Sequence, residues 1–282
     1  MKGVALSMSG KAIKNILLSP WLAIVTFLIL VAVKISNPYL VEMGKLKFYD
    51  YLMLGDSIQA DEIVLANIDE KAIEKYGQFP FPRNVYSDLI KQFYDRKAAI
   101  VGTTIMFSEK DRFGKDFQLE NTMATYPVVL SQTVGFCNRD NSITKRTGVS
   151  VIGDGKATEF LPNSLSIGTG ITSTLPEADG VVRRVPMLAM SNGEYYPSFA
   201  LEVLRAASGE ESYQAKINET GVEALRIPKF PVIKTDEYSR IFVNWNYKFS
   251  SFSVADIPKD LPILPNVAVA PLILLVVFFT VK

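Results

Sequence analysis

The sequence predicts an α/β fold, a largely parallel (mixed) sheet with helices on both faces, preceded by one N-terminal transmembrane helix. Three observations carry that expectation. Trp21 to Val33 is an uncharged run of mostly Leu, Ile, Val, Ala and Phe, behind Lys2, Lys11 and Lys14. Short apolar runs at Ile63–Ala66, Ala98–Val101 and Val128–Leu130 read as buried strands. Helical patterns fill the gaps between them, and strand–helix–strand spacing of this kind favours right-handed parallel units.

Taken in order, residues 1–19 form a cytoplasmic tail, because three lysines and no acidic residue precede the apolar run. Ser19 suits an N-cap and Pro20 the first turn of a helix over 20–36, and Ser36-Asn37-Pro38 suits its end. Such a helix is roughly 25 Å long against a bilayer core of about 30 Å, enough to span if flanking groups snorkel. A cleaved signal peptide is the alternative. Val31-Ala32-Val33-Lys34 makes a poor cleavage site, so an uncleaved anchor is expected, with the bulk of the chain outside an inner membrane. Residues 37–60 follow as a membrane-proximal helix, and 61–260 as one extracytoplasmic domain.

Within that domain Tyr86, Leu89, Ile90 and Phe93 recur at helical spacing, with Asp88, Lys91, Gln92, Asp95 and Arg96 on the opposite face. Asp116 to Thr125 reads as a further helix. Residues 135–165 are polar, contain glycine and have no period, as a surface excursion would. Asp179-Gly180 and Asn192-Gly193 bracket a strand over Val181–Met190. Pro197-Ser198 opens a helix carrying Phe199, Val203, Leu204 and Ala207, closed by Gly209. Arg240 to Trp245 reads as a strand. Residues 261–282 are uncharged until Lys282; three prolines shorten any helix there, and a last strand and a second membrane segment both remain open.

Composition narrows the chemistry. With no histidine, imidazole zinc sites, histidine acid–base catalysis and Ser-His triads are excluded. One cysteine, Cys137, excludes an intrachain disulfide. A net charge of +1 offers no footprint for nucleic acid. No phosphate loop or nucleophile elbow is present, Gly168-Thr169-Gly170 being too short, and no cofactor is expected.

Candidate ligand-binding residues follow from the predicted sheet. Ligands of open parallel sheets sit beyond the carboxyl ends of the strands, which places Asp69, Glu70, Thr103 and Thr104 near one another, beside the loop 108–116. Asp69, Asp111 and Asp116 could offer oxygens to a hard cation, although their spacing matches no defined loop. Phe79-Pro80-Phe81-Pro82-Arg83 is a rigid elbow that delivers Arg83 to the next helix, to a structural ion pair or to a ligand. Arg183 and Arg184 are adjacent on a strand, so one points inward and needs a carboxylate such as Asp179, a carbonyl or a ligand anion.

With these pieces in place the chain resembles the second class of CHASE domains, sensory extracellular domains associated with bacterial cyclases and histidine kinases. The segments that carry the likeness are Ile63–Asp69 with Gly77, the elbow Phe79–Arg83, Ala98–Phe107 with Ser108-Glu109 and Asp116, Asp179–Arg184, Pro197–Ala200 and Phe242–Asn244, with Asp50 before them. Three departures stand out. The family elbow carries tryptophans where this chain has Phe79 and Phe81, and its second strand ends in aspartate where this chain has Thr104. The family also continues into another strand, membrane helices and an output domain, whereas here only Asn266–Ala270 could match that strand.

The resemblance implies a ligand-sensing domain of a cyclase- or kinase-type receptor, without enzyme activity of its own and with its output domain truncated away. Its expected partners are an unidentified small-molecule or ionic ligand, the membrane, and a second subunit in a homodimer or a dimer with a full-length receptor. Two other classes are a metal-dependent extracytoplasmic hydrolase using Asp69, Asp111 and Asp116, and an output-less decoy or assembly subunit.

Overall fold

The computed structural model describes residues 19–36, 38–133, 144–146, 149–151, 166–191, 194–218, 221–236, 238–259 and 276–281. It divides into two compact units, Met1–Leu54 and Gly55–Lys282.

The first unit holds two described helices, α1 (Pro20–Ser36) and α2 (Tyr39–Met53). α1 occupies the residues expected of it and buries none of its side chains. No single described helix, however, is long and apolar enough to cross a membrane. α1 has 17 residues; only α1 and α2 taken together have the length and composition of a span, and they meet at 83°. The sequence expects α1 alone to span; by length and composition only the bent pair α1–α2 passes as a span, with Pro38, which has no amide hydrogen to continue α1, at the break.

The second unit opens with β1 (Ile58–Ile68), which begins five residues before the apolar run that signals it, while the helix expected over 37–60 stops at Met53. Then come α3 (Glu70–Tyr76), α4 (Arg83–Asp95), β2 (Ile100–Thr103), α5 (Asp116–Thr125) and β3 (Val128–Gln132). They are followed by β4 (Thr144–Arg146), β5 (Val149–Val151), β6 (Gly168–Ile171), β7 (Arg184–Pro186), β8 (Leu188–Ser191), β9 (Glu194–Pro197) and α6 (Phe199–Ala207). The chain ends with β10 (Gln214–Asn218), β11 (Gly221–Arg226), β12 (Ile233–Lys234), β13 (Arg240–Phe242), β14 (Tyr247–Ser253) and β15 (Val276–Val281).

The central sheet has six strands in the order β14-β1-β15-β2-β3-β6, and every neighbouring pair is parallel. All six carboxyl ends therefore lie on one edge. β15 resolves the open reading of the C-terminal segment: 276–281 is an interior strand between β1 and β2. A strand covered on both faces reads as an unbroken apolar run, which is why it could not be told from a short membrane segment. Asn266–Ala270, the expected match to a family strand, lies outside the described residues.

Helices cover both faces. Val64, Ala66 and Ile68 of β1, Val101 of β2 and Val128 and Leu130 of β3 pack on one side against Leu89, Ile90 and Phe93 of α4 and Leu119 and Met123 of α5. Ile100 and Val129, one residue out of phase, pack on the other side against Phe199, Val203 and Ala206 of α6. Full burial of a side chain such as Phe93 contributes roughly 1.5–3 kcal/mol. Ser198 caps α6, its hydroxyl accepting from the Leu201 amide at 3.2 Å. Two glycines let α6 approach β6. A Cβ at Gly170 would stand 2.4 Å from the Phe199 Cα, and one at Gly168 would stand 1.7 Å from Glu202 Oε1.

Smaller sheets complete the unit. β10-β11-β12 is antiparallel and packs Val222 and Leu225 of β11, with Ile227 just after it, on Leu188 and Leu201. The strand expected over Val181–Met190 is two: β7 pairs with β13, and β8 with β9 and β5. Pro186, which has no amide hydrogen to extend a ladder, ends the first. The strand expected over Arg240–Trp245 stops at Phe242. The excursion predicted over 135–165 contains β4 and β5, each of three residues and too short to show a period; its other residues and Asn192-Gly193 lie outside the described residues.

Candidate functional site

Beyond the carboxyl edge of the sheet lies a cavity of about 490 Å³. One wall is the elbow Phe79–Phe81, whose Phe79-Pro80 peptide bond is cis. The other is the segment leaving β2, Thr104 to Met106, and the loop Ser108–Arg112.

An aromatic chain fixes the elbow. The rings of Phe79 and Phe81 are 5.9 Å apart, Phe81 and Tyr86 6.0 Å, and Tyr86 and Phe107 5.2 Å. The Phe81 amide donates to the Tyr86 hydroxyl at 3.1 Å. Burial pushes the Tyr86 phenol up to about 12, so it stays neutral and serves as a brace. The helical period marks Tyr86 as core, but gives no sign that its hydroxyl anchors the elbow.

Arg83 is the joint between the two walls. Its side chain is buried, and Nη2 donates to the Glu109 carbonyl at 2.7 Å. Nε stands 3.4 Å from Asp116 Oδ1, and the guanidinium lies 4.6 Å from the centre of the Phe107 ring. The carboxylates organise the loop. Asp111 accepts from the Lys115 amide at 2.9 Å and the Arg83 amide at 3.4 Å, while Asp116 accepts from the Asp111 amide at 2.9 Å. The structure thus brings Arg83, Thr104, Asp111 and Asp116 into one neighbourhood, and the first three line the cavity.

Asp69 is elsewhere. It caps α3 through the Ala72 amide at 3.1 Å and accepts from the Ser253 hydroxyl at 2.6 Å. That bond, ahead of the cap and the nearby Lys71, holds its carboxyl below the ordinary aspartate value. The expected closeness of Asp69 and Thr104 is corrected, because β15 runs between the strands that carry them and leaves those strands two inter-strand spacings apart, about 9–10 Å. Asp69, Asp111 and Asp116 do not converge, and among the described residues no three acidic or cysteine side chains are placed to hold a metal ion.

Arg183 and Arg184 form a second, separate neighbourhood. Arg183 is 2% exposed and grips Asp179 with both nitrogens, at 2.8 and 2.7 Å. Arg184 grips Glu177 at 2.6 and 2.6 Å and stands 3.6 Å from Asp236, which also pairs with Arg240 at 2.8 Å. Sequence reasoning named Asp179 as a partner; Glu177 and Asp236 carry no local signal. A buried pair missed altogether is Glu202 with Arg205, joined at 2.9 and 2.6 Å.

The family model of the CHASE2 domain matches residues 23–276.

The chain belongs to the CHASE2 family.

CHASE2 domains are sensory, extracytoplasmic parts of signalling receptors rather than catalytic ones. The match begins inside α1 and reaches the first residue of β15, so it takes in the whole central sheet up to that point. No curated protein and no solved structure matches the chain. In this CHASE2 domain the position after β2 is Thr104, exposed at the rim of the cavity, and phenylalanines build the elbow.

Proposed function

We propose that this chain is the extracytoplasmic ligand-sensing domain of a membrane-bound receptor feeding a cyclase or kinase output. Its N-terminus lies in the cytoplasm, the bent pair α1–α2 anchors it to the membrane, and Gly55 onward lies outside. The observation that carries the reading is the cavity bounded by the elbow and the Ser108–Arg112 loop, at the edge where open parallel sheets take their ligands. Arg83 ties the two walls together, so a ligand that moves either wall strains the same joint. A signal passes only to the extent that ligand binds the two states of that joint unequally. The receptor works as a homodimer or as a dimer with a full-length relative.

The topology can be read directly. In a Cys137→Ser background, single cysteines are placed as Lys2→Cys and as Lys248→Cys, the latter exposed on β14. A membrane-impermeant maleimide should label Lys248→Cys in intact cells and Lys2→Cys only after lysis. Labelling of Lys2→Cys alone in intact cells would sink the proposal.

A further inference from the structure

We propose that the cavity at the end of β2 is a binding site for a small carboxylate with an apolar body, a single acid group on an aromatic or branched frame. The inference rests on the sensory reading for its biological sense, but its chemistry stands on the cavity alone. At about 490 Å³ the space lies within the range of small-molecule pockets. Its wall is unusually apolar for a surface loop: Phe79, Ile105 and Met106 face it, and Met106 is 47% exposed. A methionine left half in water in a cavity that Phe79 and Phe81 also line is a surface that an apolar ligand body covers favourably.

The polar groups sort into two sets. Arg83 and Asp111 are consumed in holding the loop. Lys110 and Arg112 are exposed, and among the described residues no carboxylate pairs with either. Arg112 makes only a long contact, 3.5 Å, to the Pro80 carbonyl and lies over Phe113. With Arg83 facing Asp116 and Asp111 taken up by the loop amides, the exposed charges of the lining are Lys110 and Arg112 against Glu109, a surplus of one positive charge (2 − 1). A monoanion balances that surplus, whereas a phosphate dianion overshoots it and leaves the apolar wall uncovered. Arginine presents the planar fork that a carboxylate accepts in bidentate fashion.

The test is thermal unfolding of the full chain in nanodiscs, at matched ionic strength, with phenylacetate, phenylacetamide, acetate and inorganic phosphate. Phenylacetate should raise the midpoint saturably, since a ligand bound only by the native state stabilises it, while the other three should leave it unchanged. The double variant Lys110→Gln, Arg112→Gln should weaken phenylacetate about tenfold, roughly threefold for each exposed cation. Lys248→Gln, away from the cavity, should not. An equal shift from phenylacetamide, acetate or phosphate overturns the proposal, as does the absence of any saturable shift or an unchanged affinity in the double variant. Binding with the labelling pattern reversed would keep the site and remove the sensory reading; the opposite pair of results would do the converse.

Discussion

Arg83 and Arg183 are both buried arginines beside a turn, yet they are satisfied in opposite ways. Arg183 spends its fork on one buried carboxylate, Asp179, four residues away in sequence. Its neighbour Arg184 does the same with Glu177, and Arg240 completes the cluster through Asp236. Every charge there is answered locally. Arg83 instead reaches across sequence, to a backbone carbonyl at Glu109, a carboxylate at Asp116 and the face of Phe107, and it borders open volume. A closed local pair fixes a turn. An arginine that joins two walls of a cavity ties together segments far apart in sequence, which is why the Arg83 region is the one proposed to take the ligand.

Breaking the closed pair should have the largest effect. Arg183→Met takes the bidentate guanidinium from the buried Asp179 carboxylate, which keeps the Val181 amide at 3.2 Å, and this costs about 3–5 kcal/mol. Chemical denaturation should show a midpoint shift of that size, and phenylacetate binding in whatever folds should be unchanged. A small shift would mean that Asp179 finds another partner and that the cluster is less closed than its geometry indicates.

Breaking the joint should cost less and act elsewhere. Arg83→Met keeps the contact with Phe107 but leaves the Glu109 carbonyl and Asp116 to water, at about 1–3 kcal/mol. Because the loop then loses its tie to α4, limited proteolysis should cut within 108–115 faster than in the parent chain. Equal cutting rates would show that Asp111 and Asp116 hold the loop without the arginine.

The same contrast explains what was legible in the sequence. α4 declares itself because Tyr86, Leu89, Ile90 and Phe93 recur at its period, and β2 and β3 because buried parallel strands are continuous apolar runs. β15 obeys the same rule, but its run resembles a membrane segment, so its place between β1 and β2 had no local signature. That one strand also separates Asp69 from Thr104, and the predicted cluster with it. The arginine joint was half visible: proline on both sides of Phe81 fixes the elbow, but the choice of a carbonyl at Glu109 is made by a loop packing 26 residues away. β10, β11 and β12 stayed hidden because strands of two to six residues with exposed faces carry little alternation.

The smallest expected effect concerns Asp69, which shares the sheet edge with the cavity but belongs to the closed kind of site. Its carboxyl is held below the ordinary aspartate value in the folded chain, chiefly by the Ser253 hydroxyl. A carboxyl with a depressed folded value adds stability at pH above the unfolded value and loses it as pH falls through the folded one. Stability should therefore decline on acidification below the normal aspartate range, in part through this group. Asn caps helices nearly as well as Asp and can still accept from Ser253, so Asp69→Asn should unfold close to the parent near neutral pH. It should lack Asp69's share of the acid-side decline, and it should bind phenylacetate as the parent does. If instead the variant lost phenylacetate binding, β15 would not insulate the two ends of the sheet edge, and Asp69 would belong with Arg83 after all.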